Sequence, residues 1–157
     1  MTIIGPGLNA RTECEAVLRS LPMWFGIEDS LVMYADDTLR LPTFASLEGD
    51  RITGFISLTK HFEHAWEIHC IAVHADQRNH GHGRALVAYA ESWLAAQGVT
   101  LLQVKTIAET SASLEYAETR AFYRSLGFQP LEVFPELWAA GNPCLQLIKH
   151  LSDGSPG

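Results

Sequence analysis

The sequence predicts a single α/β domain built on a mixed sheet. Three observations predict it: helix-like and strand-like patterns alternate along the chain, a turn-prone Gly49-Asp50 pair separates two alternating runs, and a strand–helix–strand succession encloses a glycine-containing polar loop. With 157 residues, 47% of them hydrophobic, the chain can bury one sizeable core but not two comfortable ones. The expected domain therefore spans 1–157, ordered from about residue 8 to residue 151, with 152–157 as a flexible tail.

Arg11 to Ser20 places apolar Cys14, Val17 and Leu18 at helical spacing and stops before Pro22. A second short helix, capped by Ser30, carries Leu31, Tyr34 and Ala35 on one face. Thr43 to Glu48 and Arg51 to Thr59 form the hairpin about Gly49-Asp50. Trp66 to Val73 is mostly apolar, which predicts a strand buried on both faces. Arg84 to Gln97 is the strongest helix: Leu86, Val87, Ala90, Trp93 and Leu94 make one apolar stripe, and Gly98 stands where a left-handed C-terminal residue belongs. Leu101 to Thr106 is the next strand, and the strand–helix–strand order calls for a right-handed crossover between parallel neighbours. Thr119 to Leu126 is helical, with an earlier start near Leu114 allowed by the pattern, and ends at Gly127. Phe128 to Phe134 and Cys144 to His150 are short strands on either side of a Pro135 to Pro143 excursion that contains Trp138. Gly5-Pro6-Gly7 and the last residues read as irregular ends.

Composition narrows the function. No run of about eighteen apolar residues occurs, and the first residues lack a basic, then apolar, signal-peptide pattern, so a soluble cytoplasmic protein without membrane contact is expected. Cys14, Cys70 and Cys144 are odd in number and widely spaced, which suggests neither a disulfide framework nor a zinc site. A formal net charge of −7 with only 11 scattered Lys and Arg argues against a nucleic-acid partner and mildly favours a cationic substrate. Six of the seven histidines crowd into His61 to His82, yet no H-E-x-x-H occurs, and no metal is expected.

The loop Gln77-Arg78-Asn79-His80-Gly81-His82-Gly83-Arg84 lies between the Trp66–Val73 strand and the long helix. Free N–H groups at a helix N-terminus, the helix dipole and glycines that admit close approach together suit a phosphate group. Arg78 or Arg84 can add a charge-assisted contact. A P-loop would need Lys-Ser/Thr after Gly83, where Arg84-Ala85 stands, and a dinucleotide fingerprint would need glycine at Leu86.

The stretch Arg78 to Gly83, R-x-x-G-x-G, following the buried strand that ends Cys70-Ile71-Ala72-Val73, resembles the acetyl-CoA signature of the GNAT superfamily of N-acetyltransferases. Arg120 to Phe128 is similar to that family's Tyr-x-x-x-Gly-Phe segment, in the right order and spacing, and the likeness runs from about Phe44 to His150. The resemblance implies a mixed, mostly antiparallel central sheet flanked by helices, with two central parallel strands splayed apart around pantetheine. It implies that the backbone at Ile71, Ala72 and Val73 holds pantetheine, and that the N–H groups of Arg78, Asn79, His80, Gly81, His82, Gly83 and Arg84 hold the pyrophosphate. Many relatives carry an asparagine seven residues before the tyrosine; this chain has Tyr116, so Thr119 or a backbone group is the expected substitute contact.

Acetyl transfer to an amine needs a deprotonated amine, a stabilised oxyanion and a proton for the leaving thiolate. Tyr123 matches the family tyrosine that donates this proton, although packing against Phe122 and Phe128 would also account for it. For the base, Glu67 is a costly carboxylate within an apolar strand, and His69 shares its face by alternation; side chains without a chemical duty remain the plain reading. Trp24, Phe25, Tyr34 and Trp138 are candidates for an acceptor pocket suited to an apolar or cationic amine, small molecule or peptide, though Trp24-Phe25 could simply fasten the first helices to the sheet. The competing function is a catalytically silent acyl-CoA-binding sensor, and a dinucleotide-dependent enzyme is a more distant one. A homodimer through an exposed edge strand such as Cys144 to His150 is compatible with the pattern.

Overall fold

A computed structural model describes residues 1–109, 113–138 and 141–152; the expected flexible tail lies almost wholly outside them. The chain opens with β1 (Thr2–Ile4), α1 (Arg11–Arg19) and α2 (Glu28–Asp37), followed by β2 (Thr43–Glu48), β3 (Arg51–Phe62) and β4 (Ala65–Val73). A short 3-10 turn at Ala75–Gln77 leads into α3 (His82–Ala95), β5 (Leu101–Ile107), α4 (Leu114–Ser125), β6 (Gln129–Phe134) and β7 (Cys144–His150). The strands form one sheet in the order β1-β2-β3-β4-β5-β7-β6. Among the described residues only β4 and β5 run parallel, joined through α3. The mixed, mostly antiparallel sheet flanked by helices is the architecture expected.

Two buried clusters cover the two faces. Leu86, Val87, Ala90 and Leu94 of α3 pack with Phe44, Ile56, Leu58, Trp66, Ile68, Leu102 and Val104, and Tyr123 of α4 joins them. On the other face, Cys14, Val17 and Leu18 of α1 and Leu31 and Ala35 of α2 pack with Ala45, Phe55, Cys70 and Ala72. In a regular strand Trp66, Ile68, Cys70 and Ala72 would all point to one side. Here the first pair enters one cluster and the second pair the other, because the register slips: Leu58 faces Ile68 while Ser57 faces Cys70, which leaves His69 as an extra residue. The strand is thus buried on both faces, one half on each, and the bulge re-aims the residues from Cys70 onward.

The parallel ladder is short. Pairing of β4 with β5 runs from Ala65–Leu101 to Ile68–Val104 and goes no further. Beyond that point β4 stays with β3 up to Gly54–Val73, and β5 stays with β7 up to Ile107–Cys144. Each strand is held by its other neighbour, and the two part, as the resemblance implied.

Three expectations are corrected. Residues 2–4 are an edge strand paired with Leu47, Ser46 and Ala45, with Ile3 packed against the core, where the sequence reading placed no element. Ser30 is not a cap, since α2 starts two residues earlier with Ile27 at the N-cap and Glu28 and Asp29 complementing the dipole of the first turn. β7 is not an edge: it lies between β5 and β6, and its backbone is paired on both sides, so it cannot serve as the dimer edge.

All three cysteines are free and buried. Burial pushes the Cys14 thiol up to about 12, and Cys70 and Cys144 move the same way for the same reason. Unfolded thiols release their protons near 9.0 while the folded ones retain theirs, so stability is full below that pH and falls as pH rises above it. Unfolding free energies from urea titrations are expected to drop as pH rises above about 9, by up to about 1.4 kcal/mol per pH unit per thiol. Cys14→Ala should make the drop shallower, and an unchanged slope in that variant would refute the assignment.

Candidate functional site

Where β4 and β5 part, a cleft of about 1560 Å³ opens along the β4 edge and reaches the start of α3. Its walls come from β4, β5, the loop after α1, the loop before α3, and α4. Most of the sequence-predicted residues meet here: Trp24, Phe25, Tyr34, Glu67, His69, Ile71, Ala72, Val73, Arg78, Asn79, Gly81, His82, Gly83, Arg84, Thr119, Tyr123 and Trp138 all line it. His80 is exposed and is not among the lining residues.

One end of the cleft is built from backbone. The first intrahelical bond of α3 is from the Ala85 N–H to the Gly81 carbonyl, 3.0 Å, so the N–H groups of His82, Gly83 and Arg84 have no helical acceptor. Gly81, the N-cap, has φ +84° and Asn79 has φ +65°, left-handed geometry that turns the chain so that successive N–H groups converge. A Cβ at Gly81 would meet nothing within 4 Å, so glycine stands there for its backbone conformation. At Gly83 the reason differs: a Cβ would come to 3.1 Å from the Phe122 ring, so this glycine lets α3 and α4 pack closely. Among the described residues, the edge of β4 from His69 to Val73 has no strand beside it on the β5 side. These are the features an extended amide chain ending in a diphosphate needs: a bare strand edge, then a helix N-terminus.

Three of the predicted loop residues have other attachments. The His82 ring is 2% exposed, with Nδ1 3.1 Å from the Thr53 hydroxyl, so only its N–H remains for a ligand. Arg78 lies 4.5 Å from the Trp24 ring centre and 3.6 Å from Glu118, spanning the cleft mouth from the α3 loop to α4. Arg84 donates to the Ser125 hydroxyl at 3.1 Å.

The other end is built from side chains. The Trp24 indole donates to the Thr119 hydroxyl at 3.1 Å, and Thr119 gives its own proton to the Glu115 carbonyl. Thr119 therefore has no donor left for a ligand. The Tyr116 hydroxyl reaches the Trp24 carbonyl at 3.4 Å, so the loop after α1 is tied to α4. Trp24 and Phe25 also pack on the α1–α2 cluster, so they both face the cleft and fasten the helices. Phe25 meets Tyr34 edge-on, and Tyr34 meets the His69 ring at 5.3 Å.

Glu67 is not a free carboxylate. Lys105 Nζ donates to both of its oxygens, at 3.0 and 3.2 Å, and His61 Nε2 lies 2.7 Å from one of them. His69 is backed instead by Asp37, whose Oδ2 is 2.8 Å from Nε2. A carboxylate partner accepts, so Nε2 carries the hydrogen of this contact, and in the neutral ring Nδ1 holds the lone pair. Arg40 donates to the other oxygen of Asp37 at 2.9 Å. The sequence reading missed Asp37 and Lys105. Neither carries a local signal, because Asp37 ends an ordinary surface helix 32 positions from its partner and Lys105 stands 38 positions from Glu67.

Tyr123 is 5% exposed and packs edge-on against Phe128. Its hydroxyl makes no hydrogen bond to a described residue, and Tyr123 lines the cleft. Burial raises its pKa well above the ordinary 10 and keeps the phenol protonated across the physiological range. Among the described residues, no group of three or more His, Cys, Asp or Glu side chains is gathered that could hold a metal ion. Among them, no helix is long and apolar enough to cross a membrane.

A family model described as acetyltransferase (GNAT) domain matches residues 39–130. No curated protein matches this sequence. Among solved structures, a protein described as an acetyltransferase of the GNAT family from Desulfovibrio desulfuricans superposes with TM-score 0.82 at 22% identity, covering 96% of this chain and 99% of its own. An aminoglycoside 6'-N-acetyltransferase complexed with coenzyme A gives 0.78 at 20% identity over the whole of both chains, 100% each. The ribosomal-protein-S18-alanine N-acetyltransferase of Escherichia coli gives 0.74 at 19%, covering 99% of this chain and 97% of its own. At such identities the likeness establishes the fold.

The Glu67–Lys105 contact can be measured directly. Lys105→Met should lower unfolding stability by about 1–3 kcal/mol by leaving a half-buried carboxylate without its cation. In the double variant with Glu67→Gln, most of that loss should return. Strictly additive losses in urea unfolding would show that the pair does not couple.

Proposed function

The chain belongs to the GNAT acetyltransferase family, and from that premise we propose that it is an N-acetyltransferase that moves the acetyl group of acetyl-CoA directly to a primary amine. One observation carries this reading: the β4 edge, bared where β4 leaves β5 after Ile68, leads on to the unpaired N–H groups of His82, Gly83 and Arg84, with the Tyr123 hydroxyl in the same cleft. The residues present fit the co-substrate. Ile71, Ala72 and Val73 offer backbone to a pantetheine chain, and the N–H groups from Arg78 to Arg84 offer a diphosphate cradle. Acetyl-CoA, when bound, supplies an activated acyl group as a thioester.

The chain's own side chains divide the proton work. His69, held by Asp37 with its hydrogen on Nε2, takes a proton from the incoming ammonium at Nδ1, directly or through water. Glu67, ion-paired with Lys105 and in hydrogen-bond contact with His61, is left a supporting role in the floor of the site rather than that of the base. Tyr123 holds its proton at the hydroxyl for the departing sulfur, and burial stops it from ionising before the transfer. Three free thiols fit a reducing, cytoplasmic setting.

Binding and turnover are separable. Acetyl-CoA and CoA should each raise the melting temperature saturably, while NAD should not. Tyr123→Phe should cut kcat by about 10²–10⁴-fold and leave that thermal shift in place. A silent acyl-CoA sensor predicts binding without amine-dependent thiol release. Unchanged kcat in Tyr123→Phe would remove the tyrosine from the mechanism.

A further inference from the structure

The acceptor end of the cleft has an unusual charge balance for a chain with a net charge of −7. The carboxylates among its described lining residues are Glu67 and Glu118, and both face cations of the chain itself. Lys105 takes both oxygens of Glu67, and Arg78 faces Glu118 at 3.6 Å. Asp37, just behind the wall, is spent on His69 and Arg40. Positions 110–112 and 139–140, outside the described residues, are Thr, Ser and Ala in sequence and add no charge.

What remains on that surface is mostly aromatic and aliphatic, Trp24, Phe25, Ile27, Tyr34, Tyr116 and Trp138, with Ser30, Thr106 and Asn142 as uncharged polar members. Phe25, Tyr34 and His69 form an edge-to-face series that ends on the side chain suited to take the amine's proton. Tyr34 is itself desolvated enough for its pKa to be raised, which marks this part of the wall as a poor place for ionic groups. A second or third ammonium on the substrate would have to be stripped of water here without a free carboxylate to receive it.

Resting on the acetyltransferase reading above, we propose that the acceptor is a small monoamine with an aromatic or bulky aliphatic body, and that polyamines and aminoglycosides are excluded. The single ammonium is discharged at His69, and the apolar body takes the aromatic wall. Lys105 acts as a specificity-determining residue, because its pairing with Glu67 withholds the one carboxylate on the cleft floor from a polycation.

The test is CoA-thiol release by the full chain with acetyl-CoA and matched amines: phenethylamine and tryptamine, spermidine, kanamycin, and a peptide with an N-terminal alanine. The arylalkyl monoamines should show kcat/KM about 10- to 100-fold above the other three. In Lys105→Ala, checked for folding by its acetyl-CoA thermal shift, the ratio of spermidine to phenethylamine should rise about tenfold as Glu67 is released. A wild-type preference for spermidine, kanamycin or the peptide overturns this inference and leaves the acetyltransferase reading standing, as does an unchanged ratio in Lys105→Ala. Absence of thiol release with every amine overturns the acetyltransferase reading and the inference with it.

Discussion

The parting of β4 from β5 after Ile68 and Val104 is the constraint on which the rest of the structure depends. Backbone N–H and C=O groups are seldom left without partners inside a sheet, because the loss of each costs about as much as a hydrogen bond. Here a row of them faces a cleft, and the arrangement holds because neither strand can reach the other. The outer half of β4 is committed to β3, the outer half of β5 to β7, and the extra residue at His69 turns β4 at the point of separation. The two core clusters, one under α3 and one under α1 and α2, then anchor the two halves of β4 from opposite sides.

From that one separation the two ends of the cleft inherit different chemistry. The end toward α3 presents backbone: a strand edge and a helix N-terminus shaped by left-handed Asn79 and Gly81. Such a surface recognises amides and phosphates whatever the neighbouring side chains are. The other end presents side chains brought from α2, β3, β4, β5 and α4, and its properties depend on how those side chains satisfy one another. Glu67 is quenched by Lys105, while His69 is oriented by Asp37. The same bulge that helps open the strand pair also puts His69 against α2, so the candidate base and the cleft share one structural cause.

The legible part of the site was the part that chain order encodes. The R-x-x-G-x-G loop, the tyrosine before Gly127-Phe128 and the buried strand ahead of the loop are local patterns, and the strands, helices and their order could be read with end errors of a few residues. The edge strand Thr2–Ile4 escaped because three residues beside a Gly-Pro-Gly turn carry no periodicity of their own; the partner, β2, makes them a strand. The place of β7 escaped for a related reason, since sheet order depends on which strands pair, and a Cys144–His150 pattern is equally consistent with an edge or an interior position.

By itself the sequence determined the domain class, the family likeness and where the glycine loop and Tyr123 fall along the chain, because each rests on residues close together in the chain, where spacing dictates conformation. Only the tertiary structure decided which partner each carboxylate takes: Lys105 for Glu67, and His69 with Arg40 for Asp37. A charge is tuned by what lies within a few ångströms, and the partners of Glu67 and His69 come from 38 and 32 positions away, across strands and helices whose meeting no local pattern records.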